Sequence, residues 1–257
     1  MERQTERQEI SGSQKRYIGV TGFKTVKEVE LCRDTSRGRK PSIMYGILAN
    51  PKTISYPGIE GTRRPKLTDI SKLLPHMPRD SIPTIHYCTQ NRQVSKELAS
   101  ILDYDSNFNE GYRTVQLNQR LPDVREIEKL KNRYSGILTV ILQLEPPDLA
   151  DPKKTGKILN DYNGLVEYVI IDPSLGAGLD LDKSTSLRMM NEIKINAMPV
   201  IAGGLSGNNV AQTIAFFRSE YGENFCIDAE GQLRGRSDEL IVPKMKSYLK
   251  EAHDAYK

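Results

Sequence analysis

The chain has 257 residues, 37% hydrophobic and 27% charged, with a formal net charge of +4. That length suits one large α/β domain or two small ones, and barrels run to about 250 residues as a single unit. The hydrophobic share is lean but excludes disorder as the main state, the weak positive charge predicts no nucleic-acid partner, and no apolar run approaches the roughly 18 residues of a membrane span.

Residues 1–16 (MERQTERQEISGSQKR) read as a polar tail without the apolar stretch of a secretory leader, and residues 17–257 read as the folded domain. Eight short β-branched runs follow: Tyr17–Thr21, Ile43–Leu48, Thr84–Cys88, Arg113–Leu117, Ile137–Leu144, Tyr168–Ile171, Pro199–Ala202 and Phe225–Asp228. Helical patterns such as VKEVELCRD, DVREIEKLKNRY and NNVAQTIAFFRSEYG lie between them. Strand and helix in alternation predict a parallel sheet. Eight such units predict its closure into a single (β/α)8 TIM barrel. An open doubly wound sheet is the alternative, but YIGVTGF after the first run is not the glycine fingerprint of that fold. The segment Asn50–Met77, with four prolines, reads as an extended loop after the second strand followed by a short helix. The basic stretches Arg37 to Lys40 and Arg234 to Arg236 read as solvated loops.

Cys32, Cys88 and Cys226 lie far apart without a CxxC spacing, so free thiols in a reducing cytoplasm are expected. The three histidines, His76, His86 and His253, are too scattered for a metal site. No metal and no cofactor is expected.

Side chains alternate faces along a strand. Val140, Leu142 and Leu144 then meet the helices, while Thr139, Ile141, Gln143 and Glu145 point into the barrel. The same parity turns Thr84, His86 and Cys88 inward, with Thr114, Gln116 and Asn118, then Asp172, then Cys226 and Asp228. Asn118, Glu145, Asp172 and Asp228 cluster at the C-terminal ends of the strands, the face on which barrel sites form.

The segment PVIAGGLSGNNV runs a buried strand into Gly203 and Gly204, with Asn208 and Asn209 opening a helix. Glycines let backbone N–H groups approach an anion, and a helix N-terminus favours one. By count this turn follows the seventh strand, and Gly231 marks the turn after the eighth; those are the usual barrel phosphate turns. The expected contacts are Gly203, Gly204, Ser206, Asn208, Asn209 and Gly231, and the expected partner is a small phosphorylated molecule. A second glycine-rich loop, with Gly176 and Gly178, follows Asp172 and is placed to cover a substrate.

These residues resemble the phosphoribosylanthranilate isomerase family over roughly residues 17–250. AGGLSGNNV resembles the family's AGGL-x-x-x-NV phosphate loop, and VIIDPSLGAGLDLD resembles its LLD with a glycine-rich loop. CIDAEG resembles its VDVSSG, and TVQLN its VVQLHG, with Asn118 where the family has His. The resemblance implies Asp172 as general acid and Asp228 as the last-strand aspartate. Two departures stand out. With the first Gly as anchor, Ile18 stands where the family's first strand carries its general-base Cys, and Ser55 stands where its second loop carries a substrate-binding Arg. The family's aldose-to-ketose rearrangement then needs another base, and Asp228, Glu145 and Cys88 are the inward candidates. The resulting expectation is a phosphosugar isomerase or lyase using Asp172, with Asp228 or Glu145 as its partner. The alternative is a non-catalytic barrel keeping the phosphate pocket as a sensor or interaction module. At least two ionisable groups converging above the anion turn would favour the enzyme.

Overall fold

The computed structural model describes residues 14–55, 64–104, 113–134, 137–174 and 181–257. Its eight strands are β1 (Tyr17–Thr21), β2 (Ser42–Ala49), β3 (Ile82–Cys88), β4 (Thr114–Asn118), β5 (Thr139–Leu144), β6 (Tyr168–Ile171), β7 (Met198–Ile201) and β8 (Cys226–Ala229). All pairings are parallel, and β8 closes on β1 with Ile18 opposite Ile227 and Gly19 opposite Asp228. The molecule is a single closed (β/α)8 barrel, as the alternation of runs predicts. Each strand begins within two residues of its predicted start.

The helices described are α1 (Val26–Ser36), α2 (Pro51–Ser55), α3 (Leu67–Leu73), α4 (Val94–Leu102), α5 (Val124–Arg133), α6 (Pro146–Leu149), α7 (Pro152–Leu159), α8 (Lys183–Glu192), α9 (Val210–Glu220) and α10 (Val242–Ala255). Local chemistry starts several of them. Thr25 and Glu28 form a reciprocal capping box at α1. Asp123, Asp151 and Asp182 each accept a backbone N–H at the start of α5, α7 and α8. The segment after β2 is more helical than the expected extended loop. Asn50 Oδ1 accepts the Thr53 N–H at 3.1 Å, and Pro51, whose fixed φ suits a first turn, opens α2.

Strand parity divides the core in two. Ile18, Val20, Val140, Leu142, Val169 and Ile171 pack outward with the helices. Tyr17, Met44, Ile141, Tyr168, Ile170, Met198, Val200, Ala202 and Cys226 fill the barrel interior. Tyr17 and Tyr168 meet edge to face, 5.2 Å between centroids. The Tyr168 hydroxyl donates to the Lys15 carbonyl at 3.0 Å and accepts the Lys15 N–H at 3.1 Å. Arg16 pairs with Glu223 at 2.9 Å. The last residues of the predicted tail therefore lie against the barrel; residues 1–13 fall outside the described chain. Among the described residues no helix is long and apolar enough to cross a membrane.

Candidate active site

Above the apolar filling, the interior turns polar. A cavity of about 20 Å³, room for about one water, opens among the ends of β3 to β8. His86, Gln116 and Gln143 form its floor, Asp172 and Asp228 face it, and Gly203, Gly204 and Gly231 rim it with Glu230 and Ser174.

Asp172 stands one residue past β6 and is 5% exposed. Its Oδ1 accepts the Ser174 N–H at 2.9 Å and the Ser174 hydroxyl at 2.8 Å. Its Oδ2 accepts Gln143 Nε2–H at 3.4 Å, and Gln143 Oε1 in turn accepts Gln116 Nε2–H at 3.1 Å. Two neighbouring strands, β4 and β5, thus deliver a relay of donors to one carboxylate just past β6.

Asp228 on β8 lies in a different environment. The Thr21 hydroxyl donates to it at 3.3 Å, and Gly19 makes room for it, because a Cβ on Gly19 would stand 2.4 Å from Asp228 Oδ1. Burial, then the nearby Glu230 charge, pushes its pKa up to about 7, with Asp172 adding in the same direction and the Thr21 hydrogen bond opposing.

Parity takes Ile18 away from the cavity. Ile18 packs outward in the helix-facing core. The last residue of β1 is Thr21, whose side chain turns inward to Asp228, and Gly22 follows it at φ 104°. Thr21, not Ile18, is therefore the β1 residue that faces Asp228. A threonine hydroxyl is no more a neutral-pH base than an isoleucine side chain, and β1 carries no thiol.

Glu145 lies outside the cavity lining. It caps α6, its N–H donating to Asp148 Oδ2 at 3.0 Å, so the proline pair behind it uses it structurally. Burial raises its pKa, with the Asp148 charge adding. Asn118 is also outside the lining. It holds His86 from behind, with Nδ2 3.2 Å from His86 Nε2. Cys88 is half-buried at the end of β3 and does not reach the cavity.

In the turn after β7, the residues divide their work. Gly203 and Gly204 face the cavity with φ of 94° and 65°, a region that favours glycine. Ser206, Asn208 and Asn209 shape the turn from outside. Ser206 N–H donates to Asn209 Oδ1 at 2.8 Å, Asn209 Nδ2 to the Gly204 carbonyl at 2.8 Å, and Asn208 N–H to Ser206 Oγ at 3.3 Å. The residues of this turn that line the cavity are thus the glycines, and α9 begins just beyond. Gly176 and Gly178 lie outside the described residues.

One site residue escapes the sequence reading. Arg234 is 6% exposed, not a solvated loop residue like its neighbour Arg236. Its guanidinium lies over Gly22 and donates to the Thr21 carbonyl at 3.1 Å and the Asp238 carbonyl at 2.8 Å. The only sequence sign was Gly22, a glycine straight after a strand. Among the described residues no three His, Cys, Asp or Glu groups stand close enough together to hold a metal ion.

No family model and no curated protein sequence matches the chain. Solved structures do match in fold. Phosphoribosylanthranilate isomerase from Thermotoga maritima superposes with a TM-score of 0.65 at 17% identity, covering 93% of this chain and 98% of its own. A phosphoribosylanthranilate isomerase in complex with reduced 1-(o-carboxyphenylamino)-1-deoxyribulose 5-phosphate gives 0.62 at 15% identity, covering 93% and 98%. The tryptophan synthase α-subunit of Pyrococcus furiosus gives 0.55 at 12%, covering 92% and 98%. At these identities the likeness establishes the barrel fold alone.

Proposed function

We propose that this barrel binds a small phosphorylated, sugar-like metabolite and acts on it as an isomerase or lyase through Asp172 and Asp228. The observation that carries the proposal is the meeting of two buried carboxylates in unlike surroundings at one cavity rimmed by both glycine turns. A merely ligand-sensing barrel has no need of that costly pairing. The phosphate sits on the backbone of Gly203, Gly204 and Gly231, favoured by amide dipoles and by the N-terminal end of α9. The cavity floor admits about one water, so the body of the ligand occupies the mouth above it.

The surroundings divide the roles of the two carboxylates. Asp172 accepts donors from Ser174 and Gln143 and is arranged to receive a proton. Asp228, whose pKa of about 7 leaves it half protonated at neutral pH, is arranged to give one. This reverses the division that the resemblance implies, in which Asp172 is the acid. A base removes the proton next to the sugar carbonyl or imine carbon while an acid protonates the departing oxygen. Each such group contributes roughly 10²–10⁴-fold.

A thermal-shift series with inorganic phosphate and small phosphosugars tests the binding. A ligand at 100 times its Kd should stabilise by about 2.7 kcal/mol, and no shift with any phosphate compound would overturn the reading. Without a thiol on β1, turnover of phosphoribosylanthranilate should be weak or absent. Complementation of a tryptophan auxotroph to a normal growth rate would contradict that.

A further inference from the structure

The buried guanidinium beside the mouth has no place in the chemistry above, yet it touches both structures that surround Asp228. On one side Arg234 Nη2 donates to the carbonyl of Thr21 at 3.1 Å, and the Thr21 hydroxyl donates to Asp228 at 3.3 Å. On the other side Arg234 Nε stands 3.9 Å from Glu230 Oε1, and Glu230 lines the cavity with Asp228. Arg234 Nε is also 3.8 Å from Asp238 Oδ1, so its charge is shared between two carboxylates. The chain makes space for this group at a cost in backbone order. Gly22 takes φ 104°, and a Cβ there would lie 1.2 Å from Arg234 Nη2. The β1 end and the β8 turn are thereby fixed to one another through a single side chain.

We infer that Arg234 is a positioning residue of the catalytic mouth: it holds Thr21 and Glu230 about Asp228 and so sets the pH at which Asp228 changes protonation. The inference rests on the proposed role of Asp228 as proton donor. The groups facing Asp228 are Glu230 from the β8 turn, Asp172 from β6, Tyr17 from β1, Tyr248 from α10 and Cys226 from its own strand. Burial raises the tyrosine and cysteine groups, so they stay uncharged at neutral pH. Among these groups the charges are those of Glu230 and Asp172, and Arg234 is a cation beside Glu230. Removing it leaves the Glu230 charge less balanced and loosens the Thr21 hydrogen bond. Both changes favour the protonated form of Asp228.

The test is a carboxyl titration by ¹³C NMR on aspartate-labelled full chain, with the Asp228 resonance assigned by its loss in Asp228→Asn. Arg234→Gln should move the Asp228 midpoint up by about one pH unit, a tenfold change in acidity. Arg234→Lys should keep most of the wild-type midpoint, and Arg234→Gln with Glu230→Gln should bring it back down. If Arg234→Gln fails to fold, Glu230→Gln alone should lower the midpoint by a similar amount. A folded Arg234→Gln with an unmoved midpoint, or a Glu230→Gln without effect, would overturn the inference and leave Arg234 as a tether. A wild-type Asp228 that titrates as an ordinary carboxyl would instead remove the proposed proton donor itself, and the inference with it.

Discussion

At the scale of single residues, the site is organised by what glycine leaves vacant. Gly19 admits the Asp228 carboxyl and Gly22 admits the Arg234 guanidinium, each where a methyl would collide. Gly19→Ala should therefore destabilise by about 1–3 kcal/mol, the range for overpacking. The same change in an Asp228→Ala background should cost much less, since the two closest atoms, Oδ1 and Cγ, are gone. Denaturant midpoints of the four proteins in that cycle measure the coupling, and additivity would refute the packing account. The protonation of Asp228 gives a second expectation. Its folded pKa of about 7 lies well above the ordinary aspartate range, so the folded state holds the proton more tightly than the unfolded chain. Stability then declines as pH rises through that window, because ionisation inside the barrel is costly. Asp228→Asn removes the cost. Its stability should exceed the wild type's above pH 7, by up to about 2–4 kcal/mol, and converge with it toward pH 4, which denaturant titrations at the two pH values measure. Activity should move the other way: with Asp228 as acid, kcat/KM should fall as pH rises through about 7, while a rise would restore the opposite division of roles.

At the scale of elements, the turn after β7 depends on Asn209 more than on the amides first expected to bind. Asn209 accepts from Ser206 and donates to the Gly204 carbonyl. Asn209→Ala frees that carbonyl and lets the two glycines wander from their left-handed conformation. Phosphate-dependent stabilisation should fall several-fold in apparent Kd, with the melting temperature of the free protein lowered by a smaller margin, as two hydrogen bonds of roughly 1 kcal/mol each are lost. Equal phosphate affinity in the variant would show that the turn is held by other contacts. The strands were legible in the sequence because β-branched runs keep a period of two, and the same parity foretold that Gln116, Gln143, Asp172 and Asp228 face one space. It failed for Glu145, because Pro146 and Pro147 turn the chain away at the strand end and make that residue a helix cap.

At the scale of the whole molecule, closure of the barrel brings the first and last strands together, and the mouth depends on it. Asp228 and Arg234 come from the C-terminal part of the chain, and Gly19, Thr21 and Gly22 from the N-terminal part. The bottom of the barrel is joined in a similar way by Lys15 on Tyr168 and Arg16 on Glu223. A chain starting at Tyr17 should be less stable than one starting at Gln14 by about 1–3 kcal/mol. The loss is chiefly the buried Tyr168 hydroxyl deprived of its partners, with the exposed ion pair adding up to about 1 kcal/mol. Matching melting curves for the two would show that these contacts contribute nothing.

The sequence by itself determined the barrel, the order of its strands, the two glycine turns and the inward faces, because these follow from periods of two and from backbone freedoms written locally. It could not determine which β1 residue meets Asp228, since register along β1 is invisible without the partner strand. Nor could it distinguish Arg234 from Arg236, two residues apart and alike in composition. Only the closed barrel decides that one is 6% exposed over a glycine while the other faces solvent, and only closure buries Asp228 against β1, where burial raises its pKa. Those are properties of contacts between chain ends more than two hundred residues apart, and no local pattern encodes them.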